Sequence, residues 1–179
     1  MKIILHIGTE KTGTTSIQRF CALNREKFQE RGFSYPSTTG ETNHTKLAAY
    51  AANEGKCLDL RKPLGIETSA DLDTFRQRFA NEFREELADS GAHCVVLSNE
   101  HASSRLGNPE EQARLRELFE PVASEIEVLA YLRRQDDFLL SSYSTAVKRG
   151  ETEPLQLPDE DVRNHRYNYH WLLKRWSQA

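Results

Sequence analysis

Long apolar runs are missing from this sequence. The one near its start, Ile3-Ile4-Leu5, follows the single cation Lys2 and is interrupted at His6 and Gly8. That is far short of a secretory-signal core or a membrane-spanning helix, so the expectation is a cytoplasmic protein with no membrane span. Cysteine is scarce as well: Cys21, Cys57 and Cys94 are odd in number, widely spaced, and form no CxxC pair or Cys/His cluster. Neither a disulfide framework nor a zinc site is indicated, and three reduced thiols are expected. Net charge is almost absent, at -3 over 179 residues, which gives no long-range attraction for polyanions. Nucleic acid is therefore a poor partner, and any anion site has to be built locally. Internal repeats and low-complexity tracts are lacking too.

What is present, 37% hydrophobic and 28% charged residues, suits one globular domain with a single core. The apolar stretch Lys2 to Ile7 ends at Gly8 and predicts a strand. Ser16 to Glu30 carries helical spacing through Ile17, Phe20, Leu23 and Phe28, with Gly32 as its stop. The stretch Pro36 to Thr45, rich in Ser, Thr, Gly and Asn, reads as a loop. Between Leu72 and Leu87, apolar residues recur at Phe75, Phe79, Phe83 and Leu87, which predicts an amphipathic helix with its phenyl rings in the core.

His93 to Leu97 predicts a second strand, Asn108-Pro109 a capped start to a helix through Phe119, and Ile126 to Leu132 a third strand. Asp136 to Lys148 reads as a helix with acids in its first turn and cations at its end, matching the helix dipole, and Gly150 stops it. Pro154 and Pro158 break the chain before a last helix from Tyr167 to Trp176, whose Trp171 and Trp176 suit core packing or, if exposed, a partner or second subunit. The alternation predicts one domain over residues 1–179, a three-layer α/β/α arrangement around a central parallel sheet.

The first motif follows the first strand, where a ligand site is expected in such a sheet. It reads Gly8-Thr9-Glu10-Lys11-Thr12-Gly13-Thr14-Thr15. Glycines at both ends allow a tight fold with N–H groups turned inward, and the next helix aims its positive end at the same point. Set against the triphosphatase loop Gly-x-x-x-x-Gly-Lys-Ser/Thr, both glycines and Thr15 are in place, but the lysine position holds Thr14 and the lysine stands at Lys11. A P-loop nucleotide kinase, which needs that lysine beside the terminal phosphates and a magnesium site, is therefore the weaker reading.

The second motif is Leu132-Arg133-Arg134-Gln135-Asp136-Asp137-Phe138-Leu139-Leu140-Ser141-Ser142-Tyr143. A guanidinium at a strand end offers a planar fork to a phosphate, and a helix hydroxyl adds one more hydrogen bond. Arg133 with Ser141 has that spacing, and Arg134 with Ser142 is an alternative register. The second strand ends in Leu97-Ser98-Asn99-Glu100-His101, which brings a carboxylate and an imidazole to the same sheet edge.

Lys11-Thr12-Gly13-Thr14-Thr15 after the first strand resembles the 5′-phosphosulfate loop of the sulfotransferases that use 3′-phosphoadenosine 5′-phosphosulfate. Arg133, Ser141 and Tyr143 resemble that family's 3′-phosphate element, although the family often has Asn-Pro or Asp-Pro where this chain has Arg134-Gln135. The resemblance implies a P-loop fold and transfer of a sulfuryl group to a hydroxyl or amine of a carbohydrate, lipid or small metabolite. The product would be 3′-phosphoadenosine 5′-phosphate, and no metal would be required. It implies that Thr9, Lys11, Thr12, Gly13, Thr14, Thr15, Arg133 and Ser141 hold the nucleotide, with Lys11 assisting departure of the bridging oxygen.

Glu100 is the first choice of base on analogy with the carbohydrate branch, and His101 the second on analogy with the small-molecule branch; Glu10 and His44 are weaker candidates. The resemblance covers residues 5–18, 95–101 and 128–144. Members usually continue beyond the final helix, so it also implies a domain lacking its usual C-terminal part, for which a non-catalytic nucleotide-binding remnant is an alternative. Acceptor identity and oligomeric state, a homo-oligomer included, stay open.

Overall fold

The computed structural model describes residues 1–157 and 166–178. It contains β1 (Lys2–His6), α1 (Thr14–Leu23), α2 (Arg25–Gln29), β2 (Phe33–Ser34), α3 (Thr45–Ala51), α4 (Leu58–Arg61), α5 (Ser69–Ser90), β3 (Cys94–Ser98), α6 (His101–Arg105), α7 (Pro109–Phe119), β4 (Glu125–Leu129), α8 (Gln135–Lys148) and α9 (Tyr169–Trp176). The strands form one all-parallel sheet in the order β2-β3-β1-β4. Helices surround it, an α/β architecture consistent with the expected three layers. The chain leaves β1 for β2 at the far edge, returns through β3 and then crosses to β4 on the other side of β1. The order of connection thus reverses at the C-terminal end of β1, where a parallel sheet opens a crevice.

Alternation along β1 fixes the core. Ile3, Leu5 and Ile7 are 0%, 2% and 1% exposed on one face of the sheet, joined in a single apolar cluster by Leu47, Phe79, Phe83, Leu87, Leu115 and Phe119. The four-residue repeat in α5 works as its spacing predicts: Phe75, Phe79, Phe83 and Leu87 are all buried, with successive phenyl rings stacked at 5.4 and 6.1 Å. Capping boxes start α5 at Thr68 and α7 at Asn108. The three cysteines are free and buried.

Three features depart from the expectations. The helix expected from Ser16 to Glu30 breaks at Asn24, whose side-chain amide donates to the Phe20 carbonyl at 2.7 Å and competes with the helical ladder. Its buried face is Thr14, Gln18 and Cys21, whereas Phe20 and Leu23 are 60% and 86% exposed, because α1 turns Gln18 toward Glu100 just beyond β3. Next, β2, α3, α4 and α6 lie outside the expected elements. In α3, Leu47, Ala48, Ala49, Tyr50 and Ala51 are all buried, so no periodic polar face advertises the helix.

Guanidinium groups take up the last carbonyls of α3. Arg61 reaches Ala49 and Asn53 at 3.0 Å each, Arg76 reaches Tyr50 at 3.0 Å and Ala52 at 2.9 Å, and Arg114 reaches Ala51. These cations satisfy acceptors that a helix end cannot pair by itself.

Third, the strand expected over Ile126 to Leu132 is Glu125–Leu129. It is exposed on both faces, with an open trough of about 880 Å³ between it, α7 and α9. The second strand begins one residue later than expected and α9 two residues later. Trp176 is buried as the core reading anticipated, and Trp171 lies under the Arg175 guanidinium at 4.0 Å. The break expected at Pro158 lies outside the described residues.

Candidate functional site

The loop between β1 and α1 stands at the sheet's crevice. Gly8 has φ 100°, and a Cβ there would come within 3.0 Å of Glu100 Cα and Cβ, so only glycine lets the ends of β1 and β3 approach this closely. Gly13, at φ 87°, turns the chain into α1, and Lys11 between them also has a positive φ of 64°. A non-glycine residue in that region is held there by its surroundings.

Thr9 N–H and hydroxyl both donate to the Tyr131 carbonyl, at 2.8 and 3.1 Å, and the Thr12 hydroxyl donates to the Thr9 carbonyl at 2.5 Å. Those two threonines brace the loop, leaving Gly13, Thr14 and Thr15 to line the cleft together with Lys11. Among the described residues, no backbone carbonyl accepts from the N–H groups of residues 10–15. A row of unspent donors at the N-terminus of a ten-residue helix is suited to an oxyanion.

The second motif comes to the same place. Arg133 Nη1 donates to the Lys11 carbonyl at 3.2 Å, and Lys11 Nζ donates to Thr145 Oγ1 on α8 at 2.6 Å. Arg134 points elsewhere, to Asp136 at 2.7 Å, with its side chain 79% exposed. On α8 the residues lining the cleft include Ser142, Tyr143 and Thr145. Ser142 Oγ is buried and, among the described residues, has no hydrogen-bond partner. Ser141 is half-buried and does not line the cleft; its carbonyl accepts from Thr145. Of the two arginines Arg133 is thus the one that meets the loop, and of the two serines Ser142 is the one that lines the cleft.

The end of β3 supplies the third wall. Glu100 Oε2 accepts from Gln18 Nε2 at 2.6 Å. Gln18 is one turn beyond Thr14, on the buried side of α1, an i,i+4 relation that the sequence contained but that gained meaning only when Glu100 arrived opposite. His101 begins α6, with Nδ1 3.9 Å from Glu10 Oε1, and burial pushes its imidazole below the ordinary value. Neutral at physiological pH, it is able to accept a proton. Glu10 also accepts from Ser104 Oγ at 3.1 Å and pairs with Arg166.

His44, weighed as a loop residue facing substrate, is instead fully buried, 4.1 Å from the Tyr35 ring, and burial drives it down to about 3. Its Nδ1 accepts from the Ser98 N–H at 3.1 Å, behind the crevice. It is a core residue.

The cleft these parts enclose is about 870 Å³, within the range of small-molecule sites. Lys11, Arg105, Arg149 and Arg166 line it with Glu10, Glu100 and Glu151, and Tyr143 and Tyr167 add aromatic surface. Motif reasoning missed Gln18, Ser104, Thr145 and Arg166, since each acquires its place from a segment distant in sequence. Among the described residues, no group of three or more His, Cys, Asp or Glu side chains is placed to hold a metal ion, and no helix is long and apolar enough to cross a membrane.

The class of site defined is a glycine-bounded loop with free N–H donors at the crevice of a parallel α/β sheet, facing a carboxylate and an imidazole across a cleft. No protein-family model, curated protein or solved structure matches this chain.

Proposed function

We propose that the chain binds 3′-phosphoadenosine 5′-phosphosulfate on a P-loop-like fold and transfers its sulfuryl group to a hydroxyl or amine of a small metabolite, carbohydrate or lipid. The observation that carries this reading is the meeting of two motifs 122 residues apart, Arg133 Nη1 with the Lys11 carbonyl. It brings a guanidinium suited to a second phosphate beside a loop suited to the first. Thr14, only 4% exposed, occupies the position of the triphosphatase lysine. ATP with magnesium is therefore the control ligand.

In the proposed reaction the acceptor oxygen or nitrogen forms a bond to sulfur as the bond between sulfur and the bridging oxygen breaks. The electron pair stays on the leaving 5′-phosphate, where Lys11 and the loop N–H groups offset the developing charge. The acceptor's proton goes to Glu100 or His101. Charge is handled by fixed donors on the chain itself.

Calorimetric titration with 3′-phosphoadenosine 5′-phosphate, without magnesium, tests the reading. Selective micromolar binding is expected, with Lys11→Ala retaining part of that binding while losing transfer. Binding of ATP alone would overturn the proposal, and retained turnover in Lys11→Ala would remove the role assigned to that lysine. Binding without turnover on any acceptor would leave a nucleotide-binding module.

A further inference from the structure

The turn Arg166–Asn168 and the first residue of α9 lie across both halves of the site. Their position is set from the core, since Leu172 and Trp176 of α9 are 1% and 7% exposed and Arg175 Nη2 donates to the Ser103 carbonyl at 3.0 Å. From that anchor Tyr169 projects its phenol, which donates to the Arg133 carbonyl at 2.6 Å. Arg166 pairs with Glu10 on the loop and lies 5.7 Å over the Phe138 ring of α8. Tyr167 sits 5.2 Å from that ring, and its carbonyl accepts from Gln135 Nε2 at 3.4 Å. The turn therefore ties the binding loop to the start of α8.

Arg133 needs such a tie. It is exposed, lies between β4 and α8 where the backbone belongs to neither ladder, and its guanidinium reaches the loop through one 3.2 Å bond. A long side chain held only at its tip pays rotamer entropy to stay in place. Fixing the backbone at its root reduces the set of positions the guanidinium can sample.

We infer that Tyr169 is a positioning residue for recognition of the nucleotide's 3′-phosphate, holding the Arg133 backbone so that the guanidinium lies beside the binding loop. This rests on the sulfate-donor reading above, and adds that selectivity for the 3′-phosphate depends on a turn outside both sequence motifs. Burial keeps the phenol above its ordinary titration range, so it remains a donor across the working pH. Because the hydroxyl makes the bond to Arg133 and the residue packs against the core cluster, Tyr169→Phe removes the tie and leaves the ring in place.

The test is an NMR shift titration, which reaches millimolar affinities, using 3′-phosphoadenosine 5′-phosphate and adenosine 5′-phosphate on wild type, Tyr169→Phe, Arg133→Ala and the double variant. Tyr169→Phe is expected to weaken the 3′-phosphorylated nucleotide roughly fivefold and leave adenosine 5′-phosphate unchanged. In the Arg133→Ala background the same substitution is expected to add nothing. Equal weakening of both nucleotides, no change in either, or an additive double variant would overturn the inference. A wild-type chain that binds neither nucleotide defeats the sulfate-donor reading itself, a result distinct from these. Thermal melts check that every variant is folded.

Discussion

The two flanks of the sheet are built to different standards. Toward β3, Val95 and Leu97 are 0% exposed beneath α5, whose phenylalanine ladder runs on to Phe119 of α7. Toward β4, Ile126 and Val128 are 36% and 37% exposed, and α8 buries only Phe138. The loop of residues 8–13 leaves the strand between them. One wall of its cleft, Glu100 and His101, belongs to the packed flank, and the other, Thr145 and Tyr143 of α8, belongs to the open one. A site on such a seam has one rigid wall and one held by a few polar contacts, the Lys11–Thr145 and Arg133–Lys11 bonds among them.

The largest expected effect breaks the packed flank. Phe83→Ala removes a fully buried ring set 6.1 Å from Phe79 and 6.0 Å from Phe119, and is expected to cost about 3 to 5 kcal/mol, read from the urea midpoint by circular dichroism. On the open flank, Arg133→Ala is expected to leave that midpoint unchanged and weaken binding of 3′-phosphoadenosine 5′-phosphate by about 1.5 to 3 kcal/mol. Calorimetry checks it; if Arg134→Ala abolished binding and Arg133→Ala did not, the arginine register would be wrong.

A third measurement sharpens the comparison through pH. His44, in the packed flank, is held down to about 3 by burial, so between its ordinary value near 6.5 and that value the unfolded chain binds a proton that the folded chain refuses. Stability is full above the upper limit and falls as pH drops through the window, by about 1.4 kcal/mol per unit at the steepest. Burial lowers His6 and His101 as well, in the same sense. Urea midpoints at pH 7, 6 and 5 are expected to decline, and His44→Asn, which keeps an acceptor for the Ser98 N–H, is expected to flatten the decline. The smallest effect belongs to β4, where Val128→Ala is expected to cost under about 1 kcal/mol by the same midpoint measurement.

Much of the packed flank was legible in the sequence. The Phe75-Phe79-Phe83-Leu87 interval, the apolar strands and the Asn108-Pro109 start all follow from local periodicity and capping. The loop was equally legible, because two glycines around a short polar stretch act through backbone geometry within eight residues. Less could be read where polar residues are buried or apolar ones exposed. The apolar stripe of α1 pointed to Phe20 and Leu23, whereas the protein buries Thr14, Gln18 and Cys21. The five consecutive buried residues of α3, Leu47 to Ala51, gave no period to detect.

The sequence by itself determined the alternating strand–helix order, the core of α5, the tight glycine-bounded turn of residues 8–13 and the presence of a second basic element at Arg133. Only the tertiary structure decided that Gln18 would hold Glu100, that Ser142 would line the cleft in place of Ser141, that His44 would be core and that Tyr169 would reach Arg133. The reason is physical. Periodicity, caps and tight turns are settled within a few residues of one another, while each of these contacts joins segments whose separation is closed only when the sheet and its helices pack.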